Sequence, residues 1–127
     1  MVAEMAFKCP ACNGGLLGIE MSMNLPPVYD DEIQLQMVKC EACGFRGIAV
    51  YRESRRGSLK SNSFFHLGYE VSDKDLEFVR SGIQRCPAPR DRRCQCETHL
   101  AWGKLYWGAP QASGMTVKRE FRMELAK

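Results

Sequence analysis

Two short motifs carry the first chemistry in this sequence: Cys9-Pro10-Ala11-Cys12 and Cys40-Glu41-Ala42-Cys43, separated by 27 residues. Zinc takes four soft thiolates in a tetrahedron, and each CxxC turn supplies two sulfurs from one compact loop. Cys9, Cys12, Cys40 and Cys43 are therefore predicted to hold one structural zinc. Two readings stand beside it. A redox CxxC would need only one pair, and rubredoxin-like iron uses the same ligands. A closed set of four thiolates leaves no open coordination position, which argues for a scaffold role.

A second group lies further along, at Cys86, Cys94, Cys96 and His99. The CxCxxH run places three donors within six residues, and Cys86 closes a tetrahedron across a proline-containing loop. The expected ion is again Zn2+, with an iron-sulfur cluster as the alternative. In the plainer reading Cys86 is a buried helix residue and the others are loop cysteines. Seven cysteines are odd in number, so a disulfide framework would leave one thiol over, whereas seven cysteines and one histidine make two sets of four. A catalytic zinc would require this second set to lose a ligand, leaving for example Cys94, Cys96 and His99 with Glu97 as the base. His66, with no cysteine or carboxylate beside it, reads as a structural histidine.

The elements that must position these donors follow from periodicity. Leu17, Ile19, Met21 and Met23 alternate with Gly18, Glu20, Ser22 and Asn24, a strand pattern that Pro26-Pro27 is expected to end. Ile33, Leu35 and Met37 alternate with Gln34, Gln36 and Val38, giving a second strand that runs into Cys40. Phe45 to Tyr51 reads as a third. Knuckle, strand, loop, strand, knuckle, strand is the layout of a zinc ribbon over residues 1–51. Gly14, Gly15 and Gly44 suit the tight turns, while Asn13 stands where a ribbon commonly has glycine.

Cys9-Pro10-Ala11-Cys12, the strand into a proline loop, and Lys39-Cys40-Glu41-Ala42-Cys43-Gly44-Phe45-Arg46 together resemble the zinc-ribbon half of ZPR-type zinc-finger proteins, over about residues 7–51. The resemblance implies an adaptor or chaperone-like partner of a translation elongation factor. Only the four cysteines carry over from the family's functional residues.

Residues 52–63, rich in Ser, Gly and Arg, are expected to be a linker or mobile loop. Residues 64–127 then form a small β-rich unit with one helix. Phe64 to Val71 reads as a strand. Ser72 is a helix N-cap, and Leu76, Val79, Ile83 and Cys86 share one helical face until Pro87. Leu100 to Trp107 and Thr116 to Leu125 read as two further strands, the latter equally as a short amphipathic helix. The fold class expected is small, metal-stabilised α+β.

Composition bounds the function. A chain of 127 residues holds one ordinary domain or two very small ones. With 45% hydrophobic and 26% charged residues it has globular proportions. No apolar run approaches the roughly 20 residues of a membrane span, and the amino terminus lacks a basic segment followed by an apolar one, so a cytoplasmic protein with an uncleaved start is expected. The formal charge of +3 falls to zero once both sets hold zinc as thiolates. That weakens a nucleic-acid reading based on Arg52, Arg55, Arg56, Lys60, Arg90, Arg92 and Arg93 with Trp102, Tyr106 and Trp107 as stacking rings. No phosphate-binding, dinucleotide, HExxH or nucleophile-elbow motif is present. The reading is a non-enzymatic module for another protein, with a nucleic-acid role or an accessory subunit of an enzyme complex as the alternatives.

Overall fold

In the computed structural model the described residues are 6–28, 31–54, 63–91, 93–102 and 115–126, with side chains left aside at 26–28, 31, 54, 63–65 and 100–102. Strands β1 (Leu17–Val28), β2 (Asp31–Cys40), β3 (Arg46–Ser54) and β4 (Ser63–Val71) come first, then helices α1 (Asp73–Arg85) and α2 (Glu97–Trp102), then strand β5 (Val117–Arg122). The strands pair antiparallel in the order β1-β2-β3-β4-β5, one sheet without a crossover. The molecule is mostly β. Of the segment expected as a linker, Arg52–Ser54 continue β3 and Ser63 opens β4, and these ends pair directly, Ser54 with Ser63 and Arg52 with Phe65. Residues 55–62 lie outside the described residues.

The alternation in β2 sorts residues as expected. Ile33, Leu35 and Met37 enter a core with Ile48, Val50, Leu76, Val79 and Ile83, while Val38 and Cys40 enter another with Phe7, Leu17, Phe45, Ala49 and Met123. The alternation in β1 does not. Ile19 pairs with Val38 but Met21 pairs with Met37, so Glu20 is an extra residue in the ladder. This β-bulge changes which face the odd positions occupy: Leu17 packs with Phe7 and Val38, whereas Met23 and Leu25 pack with Leu35 and Met37. A single alternating pattern thus serves two cores.

Pro26-Pro27 do not end β1, which runs on to Val28. The strand is at an edge of the sheet, and the register shifts between Leu25 and Val28, so the missing amides fall where no regular ladder bond is required. Leu100–Trp102 are helical rather than extended, for a reason given by Cys96 below, and residues 103–107 of that expected strand lie outside the described residues. Of the two readings for Thr116 to Leu125, the strand is adopted, as β5.

α1 forms as its sequence dictates. The Ser72 hydroxyl accepts from the Asp75 amide at 3.2 Å, Asp73 and Asp75 sit at the positive end of the helix, and Val71 and Leu76 join one core. Leu76, Val79 and Ile83 are buried against the sheet. Each contributes roughly 1.5–3 kcal/mol on burial, well above the partly exposed pairs of Arg80 with Glu20 and Glu77, which are worth about 0.2–1 kcal/mol each. Apolar packing, not charge, docks the helix. At the far side Phe7 bridges to Leu17 and to Leu125, tying the start of β1 to the chain beyond β5. The bonds Lys8 N to Glu124 O and Ala126 N to Ala6 O, both 2.9 Å, complete that closure.

Candidate metal centres

The closure of Phe7 on Leu17 delivers Cys9 to the end of β2, where Cys40 is the last strand residue. The two CxxC turns are built alike. Cys9 N donates to Gly14 O at 2.8 Å and Cys40 N to Phe45 O at 2.8 Å; Asn13 N donates to Cys9 O at 2.9 Å and Gly44 N to Cys40 O at 3.0 Å. In each turn the second residue after the first cysteine points its amide at that sulfur, Ala11 N to Cys9 Sγ and Ala42 N to Cys40 Sγ, both 3.4 Å. Such amides stabilise thiolates.

The four sulfurs of Cys9, Cys12, Cys40 and Cys43 lie within 4.8 Å of one another. Cys9 and Cys43 are 3.6 Å apart and Cys12 and Cys40 3.8 Å. Sulfurs about 3.8 Å apart are what a tetrahedral ion with about 2.3 Å bonds to thiolate requires. A disulfide needs about 2.05 Å, and all seven cysteines are free. Cys9 and Cys40 are buried while Cys12 and Cys43 face solvent. The Cys43 and Ala42 amides and neighbouring thiols bring Cys40 down to about 7 against the effect of burial. At Cys43 the Phe45 amide lowers the thiol, but burial and the sulfurs of Cys9, Cys12 and Cys40 outweigh it, to about 12. Four thiols crowded in this way cannot all ionise without a cation among them.

The second group is assembled from the ends of both helices. Cys86 is the C-cap of α1, its amide bonded to Ile83 O. A run of turns follows, Asp91 N to Ala88 O and Cys94 N to Asp91 O, each 3.0 Å, with the Asp91 carboxylate accepting from Arg93 N at 2.9 Å. Cys96 then precedes α2, and its sulfur accepts the His99 amide at 3.4 Å. That is the N-cap position and reach usually taken by Ser or Asp. A capped turn that returns His99 toward Cys96 explains why residues 100–102, expected to be extended, are helical.

Cys86 Sγ lies 3.8 Å from Cys94 Sγ and 3.5 Å from Cys96 Sγ. The Nδ1 atom of His99 is 3.2 Å from the first and 3.3 Å from the last. The four donors fall within 4.8 Å of one another, and His99 is fully buried. Its Nε2 is 2.9 Å from the backbone oxygen of Asn24. A carbonyl only accepts, so Nε2 carries the proton and Nδ1 presents its lone pair to the cluster. Burial pushes the Cys86 thiol up to about 11. Burial also raises Cys96, yet the His99 amide and ring and the Cys86 and Cys94 thiols bring it to about 6. Both groups have the donor chemistry and spacing to hold a metal ion.

All eight sequence-predicted donors are thus brought together in their expected sets. Glu97 is exposed in the first turn of α2 and is no part of the donor set. His66 Nε2 donates to Gln36 Oε1 at 2.6 Å, with its ring edge-on to Phe7 and Tyr51 at 5.3 Å each, and burial lowers it to about 4. Arg90 and Arg93 are exposed, and Arg52 lies in β3. Arg55, Arg56, Lys60, Arg92, Tyr106 and Trp107 fall outside the described residues. Sequence reasoning missed Asn24. A histidine ligand needs an acceptor for its second nitrogen, but nothing in the sequence says that a strand 75 residues away supplies it.

No described helix is long and apolar enough to cross a membrane. Comparison of the chain with protein-family models, with curated proteins and with solved structures gives no match.

Proposed function

We propose that the chain is a cytoplasmic, non-catalytic zinc module that presents a surface to another protein. The observation that carries this reading is that each group supplies four donors of its own, three or four of them thiols. A complete set of protein ligands holds zinc as a structural cross-link and leaves no position for a substrate. The donor chemistry favours zinc over magnesium or calcium, which take oxygen ligands.

The surface beside the first cluster supports a protein partner. A groove of about 480 Å³ lies there, lined in part by Ala6, Leu16, Ile19, Glu20 and Lys39. Leu16 and Ile19 are 52% and 40% exposed on it. Neighbouring apolar side chains left in water beside charged ones are a common mark of protein contact. The likeness of residues 7–51 to ZPR-type ribbons supports a translation or nucleoprotein assembly as the setting.

The test has two parts. Inductively coupled plasma mass spectrometry of the purified chain is expected to find two zinc ions per molecule. A brown, air-sensitive preparation would replace zinc with iron-sulfur and point to an accessory redox subunit. Titration with single-stranded RNA at two salt concentrations is expected to show only weak binding. Tight binding that falls steeply with salt would move the function to the nucleic-acid class.

A further inference from the structure

Asn24 holds the second cluster or the loop leading into it through every polar atom but one. Its amide donates to Pro89 O at 2.7 Å, its carbonyl accepts from His99 Nε2 at 2.9 Å, and its side-chain Nδ2 donates to Arg90 O at 2.8 Å. The remaining atom, Oδ1, accepts from Gln34 Nε2 at 2.9 Å. Gln34 Oε1 in turn accepts from Gln36 Nε2 at 2.6 Å, and Gln36 Oε1 from His66 Nε2 at 2.6 Å.

This row has a direction. Arg90 O can only accept, so the NH2 group of Asn24 must face it and Oδ1 must face Gln34. The amide of each following residue is then fixed in turn, back to buried Gln36 and to the edge-packed His66 ring. Asn24 is thereby held from the sheet side in the one orientation that grips the loop carrying Cys86, Cys94, Cys96 and His99. Four bonds on one side chain and its peptide exceed what capping an edge strand requires.

We propose that Asn24 is the positioning residue of the second metal centre: it fixes the ring of His99 with Nδ1 toward the ion and clamps residues 89 and 90 so that Cys86 and Cys94 converge. The proposal rests on the reading that this cluster binds an ion. Without the clamp only the loop's own turns and the metal would order it, and part of the binding free energy would go into that ordering.

The experiment uses the full chain loaded with Zn2+, and compares Asn24→Ala, Asn24→Asp and Cys86→Ser with the parent by chelator competition. Losing an outer partner of a metal ligand typically weakens binding about 10- to 100-fold. Such a loss is expected at one of the two zinc ions in Asn24→Asp, with the other unchanged. Asn24→Ala should be milder than Asn24→Asp, because Ala only removes the donor while Asp sets a carboxylate against Arg90 O. A purely space-filling role predicts the reverse order, since Ala is the larger truncation, and that order would overturn the proposal, as would parental affinity in both variants. Nitrogen-15 NMR of the unmutated zinc-loaded chain gives a reading independent of folding of the variants. A slowly exchanging Nε2 proton on His99 is expected, and a bare Nε2 would overturn the assignment. Failure of the zinc reading itself looks different: Cys86→Ser would then bind as much zinc as the parent.

Discussion

Asn13 and Gly44 occupy the same point of the two CxxC turns and share a left-handed backbone, with φ of 65° and 81°. Each donates its amide back to the carbonyl of the first cysteine of its turn. The residue that stood in place of the usual glycine is therefore no departure from the turn, because asparagine is among the few side chains that adopt this conformation readily.

Strain at these two positions can be measured. A Cβ at Gly44 would meet nothing within 4 Å, so Gly44→Ala tests the backbone alone. It should cost roughly 1–2 kcal/mol, visible as a Tm lower by about 4–8 °C in calorimetry. Asn13→Gly should stay within a few tenths of a kcal/mol of the parent. Equal effects of the two would contradict the shared geometry.

Zinc stoichiometry should separate the two centres. Cys9→Ser and Cys40→Ser are expected to lose one zinc and to loosen the two CxxC turns, while β1 and β2 stay paired through the core of Met23, Leu25, Leu35 and Met37. Cys86→Ser and Cys94→Ser should each lose one zinc, keep the ion at Cys9, Cys12, Cys40 and Cys43, and make the remaining thiols of their own cluster reactive to alkylation. Elemental analysis with thiol counting reads both. An unchanged zinc count in all four variants would leave both clusters without an ion.

Gly68 is a contact position, not a flexible one. A Cβ there would collide with the ring of Phe121 on the neighbouring strand. That ring is edge-on to Phe45 at 5.6 Å, and Arg119 lies 5.6 Å from the Phe45 centroid. Gly68→Ala is expected to destabilise by about 1–3 kcal/mol through overpacking. Combined with Phe121→Ala, the loss should be smaller than the sum of the two single losses, because the ring that clashes has gone. Urea unfolding of the three variants checks this, and simple additivity would show that the ring does not press on Gly68.

His66 gives a pH dependence with a definite sign. Its folded value, lowered to about 4 by burial, lies below the ordinary histidine value of 6.5. Between these limits the unfolded chain binds a proton that the folded chain does not, so stability falls as pH drops from about 6.5 toward 4. The ring is partly exposed, so the slope should stay below the ceiling of about 1.4 kcal/mol per pH unit. His66→Gln keeps a donor for Gln36 and removes the titration. The difference in urea midpoint between parent and variant should therefore change in the variant's favour on going from pH 7.5 to 5, and parallel profiles would refute it.

What the sequence determined by itself is the local chemistry. The donor spacing marked all eight ligands, because each CxxC turn and the CxCxxH run gather their own donors within a few residues; joining the two turns, and bringing Cys86 to the run, took the strand pairing and the end of α1. The Ser72 cap and the apolar stripe of α1 were likewise legible, since a helix closes its bonds locally. The alternation of β2 was legible because that strand pairs residue by residue with β3, and the extra residues in its other ladder lie on β1. Tertiary structure decided the rest. Alternation in β1 cannot reveal the bulge at Glu20, which exists only relative to the register of β2. The prolines at 26 and 27 end a strand only where a neighbour needs their amides, and an edge position removes that need. Residues 100–102 open a run, Leu100 to Trp107, that reads as a strand, but the Cys96 sulfur caps a helical turn there so that His99 can face its cluster. The bond from His99 to Asn24 joins positions 75 apart in the chain, and a contact at that separation leaves no periodicity to read. It follows only when a sheet edge and a ligand loop are folded against each other.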